Sequence, residues 1–264
     1  MAADSAVTLH HSLIDPATGD LKTAVIQTFN YASKVTQILD YPICLLTWGI
    51  ASINARTIQS LVMEWENKNK KKSDYPGYKV KQIALDIINF ISDKYASAYP
   101  NYVQGKENSG PLLGLSVGGF ETDSFFAKQY EWSFPSCAEP REVRPDLPNG
   151  NPNFGANWFG ETEALIRLIK GKSQAGLNDL INRGVDPKIA MEWAQAQNAD
   201  LPLIFDGMPL QDAIDFAKFA IELTIGISRF SQGANTCGGD IDIAVIRPHG
   251  VKWHQRKAWS LKDG

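Results

Sequence analysis

The chain has 264 residues, of which 44% are hydrophobic and 21% charged, and this composition is that of a globular protein with a substantial core. Its net charge of -3 and its isoelectric point near 5.8 show no excess of basic residues, so we expect no nucleic-acid partner. The three cysteines are far apart and the four histidines form no ligand pattern, which favours a reducing compartment and no metal or cofactor. Without a signal-peptide pattern or a long apolar run, the chain is expected to be cytoplasmic and to have no membrane partner.

The first part of the chain reads as strands followed by two helices. The opening MAADSAVT resembles the second half of a buried strand, and residues 23–39 are rich in β-branched and aromatic side chains, as one or two strands would be. The run YPICLLTWG predicts another buried strand. Apolar residues at helical spacing predict a helix over 50–65 and a second over 80–95.

The rest of the chain alternates between strand and helix blocks. The segments PLLGLSVGGF and SFFAKQYEWSF predict a β-hairpin, and the Pro-, Asn- and Gly-rich residues 135–157 predict an ordered loop or insertion. Short helices are predicted over 161–169, 176–183 and 187–197, then a long helix over 208–230 and terminal strands within 240–253. The long helix is apolar on nearly every side, which predicts that it lies between a sheet and another helix.

Strands grouped into blocks, with helices between them, favour antiparallel sheets over an alternating βαβ fold. We therefore predict an α+β fold with two antiparallel sheets and helices on their outer faces, a four-layer αββα sandwich.

Several common catalytic motifs are absent from the sequence. It contains no GxSxG elbow, no GxxxxGK[ST] phosphate loop and no HExxH motif. The glycines of GLSVGGF lead into another strand rather than a helix, which disfavours a nucleotide cradle. Cys237 lies in the glycine loop TCGGD, and a lone cysteine there is more often structural than nucleophilic.

The order of several segments carries a resemblance to a known family. MAADSAVT, SKVTQI, CLLTWGIAS and a long helix are followed by GLSVGGF, GMPLQDAIDFAKFAI and TCGGDIDIAVI. Taken together, this order resembles the proteasome-type family of N-terminal nucleophile hydrolases. The resemblance covers nearly the whole chain as a single domain, 1–264, apart from an insertion around 135–202.

The resemblance implies a specific chemistry. In that family a Thr, Ser or Cys at the processed N-terminus attacks the amide, and its own α-amino group is the general base. By their positions in these motifs, Asp4 matches the aspartate that orients a lysine, Lys34 matches that lysine, and Gly49 matches the oxyanion-hole glycine. Thr47 and Ala51 correspond to positions whose side chains line the specificity pocket in that family. The resemblance also implies a peptide or amide substrate, no cofactor or metal, and a homo-oligomer.

The sequence departs from the family at its start. Family spacing places the nucleophile one strand and a turn, about a dozen residues, before Met1. The first strand is therefore expected to be missing and the chain as written to be inactive. Using Ser5 or Thr8 instead would require a cut inside the segment that carries Asp4.

A second departure concerns the active-site loop at Thr236, Cys237 and Gly238. Cys237 stands where the family has a serine, and Ala234 or Asn235 stands near the family's aspartate position. Thr236 or Asp240 are candidate substitutes for these missing groups.

Three hypotheses follow for the function. The first is a threonine-type endopeptidase or amide hydrolase of the proteasome type, and the second is a non-catalytic structural or assembly subunit on the same scaffold. The third is an unrelated α+β binding protein, which predicts that Asp4, Lys34 and Gly49 are not close together. Each residue also has a plain structural interpretation: an ordinary ion pair for Asp4 and Lys34, a strand end at Gly49, and a core position for Thr47.

Overall fold

The computed structural model describes residues 1–14, 21–69, 77–137, 139–196, 200–233 and 235–257, with the backbone alone for 9–14 and 21–26. Over these ranges the protein is a mixed α+β structure with antiparallel sheets and six helices. None of the helices in these ranges is long and apolar enough to cross a membrane.

The strands are short to medium in length. They are β1 (Ala2–Ala3), β2 (Val7–Ile14), β3 (Leu21–Phe29), β4 (Val35–Gln37), β5 (Ile43–Gly49), β6 (Ser52–Ile53), β7 (Arg56–Thr57), β8 (Leu113–Gly119), β9 (Lys128–Phe134), β10 (Arg141–Glu142), β11 (Asp242–Arg247) and β12 (Gly250–Gln255). The helices are α1 (Ile58–Asn69), α2 (Val80–Ala98), α3 (Glu163–Lys170), α4 (Gln174–Asn182), α5 (Pro187–Gln195) and α6 (Leu210–Phe230).

The larger sheet has five antiparallel strands in the order β10-β9-β8-β5-β4. The predicted hairpin is present in it, with β8 and β9 paired so that Leu115 lies opposite Trp132. Buried apolar residues of α1 and α2 form one core cluster with this sheet, to which Leu61, Ile87 and Leu45 belong. The two predicted helices thus cover the large sheet.

The smaller sheet has three antiparallel strands in the order β1-β11-β12. A second core cluster joins Ala3 and Ala244 of this sheet to Val35 and Cys44 of the large one. A third cluster joins Ile214 of α6 to Ile241 and Ile243. Apolar contacts therefore run from α1 and α2 through both sheets to α6.

The helix predicted to start at residue 50 begins eight residues later, at Ile58. Residues 52–57 instead form the β6–β7 hairpin, whose turn residues Asn54 and Ala55 have φ of 49° and 62°. Left-handed backbone at these two positions cannot continue a right-handed helix, although Ile50 and Ile53 have helical spacing. A periodic pattern of apolar residues does not report such a turn.

The opening residues of the chain form two separate strands rather than one continuous strand. Only Ala2–Ala3 pairs with β11, and β2 begins at Val7 and pairs with β3 in a separate two-stranded sheet. The break falls at Asp4, Ser5 and Ala6, which are all buried. The predicted strand region 23–39 likewise resolves into the end of β3 and the short strand β4.

Helix α6 lies between the small sheet and α3, as its apolar sequence predicts. Ile214 is buried, but Phe219, Ile227 and Phe230 are 45%, 52% and 83% exposed. The two neighbouring elements therefore leave an apolar strip on the second half of the helix facing solvent.

Candidate functional site

Asp4 lies at the centre of the candidate site, buried just after the edge strand β1. One carboxylate oxygen, Oδ1, accepts a hydrogen bond from Lys34 Nζ at 2.6 Å. The other, Oδ2, accepts from the backbone N–H groups of Gly238 at 3.0 Å and Ala6 at 3.1 Å. Both oxygens of this buried carboxylate are satisfied, which offsets the cost of its burial.

Lys34 is held at both its backbone and its side chain. It immediately precedes β4, and its carbonyl oxygen accepts from Thr47 N of β5 at 2.9 Å. The side chain is 20% exposed, and Asp4 is its only hydrogen-bond partner among the described residues. An ammonium group has three donors, so two remain free to reach a substrate or a nucleophile.

Gly49 ends β5 beside this pair. Ile50 N donates to Leu112 O of the β8 side at 2.8 Å, and Thr47 N donates to Lys34 O on the opposite side. Gly49 has φ of 85°, and a Cβ there would lie 2.2 Å from Leu112 O, so only glycine fits.

Thr47 lies in β5 and Ala51 lies on the connection that leads from β5 to α1, so the two residues flank Gly49. Thr47 is half-buried and bonded through its N–H to Lys34, while Ala51 is half-buried and its carbonyl accepts from Ile58 N at 3.1 Å. Direct hydrogen bonds thus connect Asp4, Lys34, Gly238 and Thr47. Gly49 and Ala51 are placed beside them by the chain and have no bond to Asp4 or Lys34.

The glycine loop at 235–240 closes the site. Gly238 binds the Asp4 carboxylate through its N–H, and its carbonyl accepts from Ser5 N at 2.9 Å. Cys237 is buried, and burial together with the nearby Asp4 charge raises the pKa of its thiol to about 12, against an opposing effect of Lys34. A thiol with this pKa is protonated at neutral pH and is a poor nucleophile.

The candidate substitutes in this loop have different partners. Ala234 lies outside the described residues, and the Asn235 side chain accepts from Ser228 Oγ of α6 at 2.7 Å. Thr236 Oγ1 donates to Glu161 at 3.2 Å, and the Asp240 carbonyl accepts from Ser5 Oγ at 2.6 Å. Neither Thr236 nor Asp240 has a hydrogen bond to Lys34 within the described parts of the chain.

No protein-family model matches this chain, and no curated protein sequence matches it significantly.

The arrangement can hold a lysine cation in a fixed position, because the carboxylate of Asp4 orients Lys34 Nζ. The Met1 amine donates to Ala244 O at 2.8 Å within the small sheet, and burial lowers its pKa. The residues described here contain no group of three His, Cys, Asp or Glu side chains that could hold a metal ion.

Sequence reasoning missed the contribution of the segment before α3. Phe159 stacks on Trp48 of β5 with ring centroids 4.3 Å apart, and Glu161 accepts the hydrogen bond from Thr236. This segment belongs to the region predicted as an insertion, yet it lies against the glycine loop. No motif marked Glu161, because its partner is 75 residues away in sequence.

A second buried cluster beneath the site was also missed. Lys257 Nζ donates to Asp242 Oδ2 at 2.7 Å, to Ser5 Oγ at 3.0 Å and to Ala32 O at 2.5 Å. Ser5 follows Asp4, and Ala32 lies two residues before Lys34. This buried ion pair therefore fixes the two segments that carry the candidate site. The sequence signals this cluster only through Asp242, a charged residue among alternating apolar residues, and that signal does not identify Lys257 as the partner.

Proposed function

We propose that the protein is a proteasome-like hydrolase of the N-terminal nucleophile type that cleaves peptide or amide bonds. The observation that carries the proposal is the buried Asp4 carboxylate, which binds Lys34 Nζ at 2.6 Å and Gly238 N at 3.0 Å. Asp4 and Lys34, the pair that the family resemblance assigns to one active site, meet there with Gly238 from the other end of the described chain.

The proposed fold is the four-layer αββα sandwich of that superfamily. Three apolar clusters support it: one between α1, α2 and the large sheet, one between the two sheets, and one between the small sheet and α6. In this arrangement the candidate site lies where β1, β4, the end of β5 and the glycine loop come together.

The proposed mechanism requires a Thr, Ser or Cys at a mature N-terminus on a strand before Ala2. The nucleophile's oxygen or sulfur attacks the amide carbon while its proton moves to the α-amine, and the C–N bond then breaks as that proton passes to the leaving amine. Water subsequently hydrolyses the acyl-enzyme. Lys34 lowers the pKa of the nucleophile, Asp4 orients Lys34, and Gly49 N–H stabilises the oxyanion.

Substrate selection is assigned to the end of β5 and the connection that follows it. Thr47 and Ala51 are half-buried on either side of Gly49, where the side chain of a bound peptide would meet them. The three cysteines are all free, which supports a reducing compartment such as the cytoplasm.

The test uses the native protein from its source and a peptide vinyl sulfone, an electrophile that forms one covalent bond with an active nucleophile. Intact mass and N-terminal sequencing are expected to find a mature N-terminal Thr, Ser or Cys that carries the label. Lys34→Met is expected to slow labelling and hydrolysis of fluorogenic peptides by about 10²-fold, the scale of a lost proton-transfer or electrostatic contribution.

The matched control is Lys128→Met, because Lys128 is also ion-paired and has a similarly exposed side chain, 26% against 20% for Lys34. Lys128→Met is expected to leave labelling unchanged. Equal labelling of the Lys34 and Lys128 variants, with both folded by circular dichroism, would contradict the hydrolase proposal.

A non-catalytic proteasome-like subunit is the second candidate function. It is favoured by the active-site loop, where Cys237 stands in place of the family's serine and neither Thr236 nor Asp240 bonds Lys34 within the described residues. A native protein that starts at Met1 or Ala2, takes no label and sediments as an oligomer would support this candidate over the first.

A further inference from the structure

Helices α3, α4 and α5 border two adjoining cavities that open to the surface away from the candidate site. The first, of about 360 Å³, is lined by Arg167, Lys172 and Ser173 together with Gly176 and Trp193. The second, of about 420 Å³, is lined by Leu180, Val185 and Ile189 together with the same Gly176 and Trp193. Because two residues line both, the cavities form one space, the α4–α5 groove, with a basic and an apolar end. Both volumes fall in the range of small-molecule sites.

Lys172 at the basic end is a buried cation, only 7% exposed. Its Nζ donates to Ala196 O and lies 5.9 Å from the centre of the Trp193 ring. Within the described ranges, Lys172 has no carboxylate partner, whereas Arg167 in the same cavity is paired with Glu163. Burying a charge without a counter-charge is costly, so this end of the groove is suited to an anion.

The apolar end is open to a ligand. Ile189 is 59% exposed and Trp193 is 38% exposed. Gly176 has no side chain to cover the indole, since a Cβ there would lie 3.6 Å from the ring of Trp193. An apolar surface next to a buried, unpaired cation is complementary to a molecule with one carboxylate and an apolar body.

We propose that the α4–α5 groove binds a small free monocarboxylic acid with an aliphatic or aromatic body. The carboxylate accepts from Lys172 Nζ, and the apolar body lies against Trp193 and Ile189. The cavity volumes match a free small acid rather than a folded partner. The site does not depend on the hydrolase proposal, because it shares no residue with the Asp4 and Lys34 cluster.

Isothermal titration of the full chain with octanoate tests the assignment. One molecule of octanoate is expected to bind. Binding is also expected to change the tryptophan fluorescence, and Trp193→Phe is expected to remove that change. Lys172→Met is expected to weaken binding about tenfold or more, since a charge-assisted hydrogen bond is lost. Octylamine, whose charge would meet Lys172 and Arg167, is expected not to bind.

Lys188→Met is the matched control, because Lys188 is an exposed lysine on α5 outside the groove lining. Ile189→Asn changes an exposed position and is expected to weaken binding without altering thermal unfolding, which separates binding from folding. The assignment is overturned if wild type does not bind octanoate, if octanol binds as tightly, or if Lys188→Met weakens binding as much as Lys172→Met. Tighter binding of an apolar tripeptide with a free C-terminus than of octanoate would overturn the choice of a small acid.

Discussion

At the residue scale, the candidate site depends on buried charges that are fully paired. Asp4 and Lys34 meet near the surface, and Lys257 and Asp242 form a second pair below them, with side chains only 2% and 4% exposed. Lys257 also bonds Ser5 and Ala32, the neighbours of the site residues. The position of the Asp4 carboxylate thus depends on a lysine near the other end of the described chain.

Replacing Lys257 by Met is expected to lower the free energy of unfolding by about 3–5 kcal/mol, because Asp242 is left as an uncompensated buried charge. Urea unfolding followed by circular dichroism measures the loss. Lys252→Met, an exposed lysine on β12, is the control and is expected to change stability little.

A double variant separates the pair from its surroundings. Adding Asp242→Leu to Lys257→Met removes the buried carboxylate that has lost its partner, so part of the lost free energy of unfolding is expected to return. If Lys257→Met and Lys252→Met are equally mild, the buried cluster does not support the fold.

At the element scale, two glycines differ in the space that an added side chain would find. Gly114 of β8 faces Trp48, and a Cβ there would lie 1.8 Å from the indole carbon Cε2. Gly226 of α6 has nothing within 4 Å of its missing Cβ. Gly114 leaves room for Trp48, which stacks on Phe159, whereas a side chain at Gly226 would meet no other atom.

Gly114→Ala is therefore expected to destabilise the fold by about 1–3 kcal/mol through overpacking. Gly226→Ala is expected to stabilise it by about 0.5–1 kcal/mol, because alanine restricts the unfolded chain and favours helix. Urea unfolding of the two variants beside wild type measures both changes. Loss of stability in Gly226→Ala would show that the exposed side of α6 is covered in solution.

Most elements could be predicted from the sequence, because apolar periodicity is a local property. The β8–β9 hairpin and α2 were predicted within a few residues. The start of α1 was wrong, since the left-handed turn at Asn54 and Ala55 is set by the β6–β7 pairing and leaves no periodic trace.

At the scale of the whole molecule, the exposed apolar strip of α6 has a consequence for assembly. Phe219, Ile227 and Phe230 are all substantially exposed on one side of α6, and large exposed apolar patches mark interaction surfaces. We propose that a second copy of the chain covers this strip, in the homo-oligomer that the family resemblance implies.

Sedimentation velocity is expected to find wild-type protein as an oligomer at micromolar concentration. Phe219→Ser combined with Phe230→Ser is expected to shift it toward monomer, because both aromatic side chains of the exposed strip are removed. Phe125→Ser, at a residue 85% exposed outside α6, is the matched control. A monomeric wild type would contradict the oligomer proposal.

The sequence by itself determined the kinds of element, the α+β class and the candidate pair Asp4 and Lys34, because these follow from local patterns and from the order of motifs. Only the tertiary structure decided which groups touch: the 2.6 Å bond between Asp4 and Lys34, the Glu161 contact and the Lys257 cluster. These contacts join residues that are tens to hundreds of positions apart. Their partners are fixed by strand register and packing, which a linear pattern of residues does not encode.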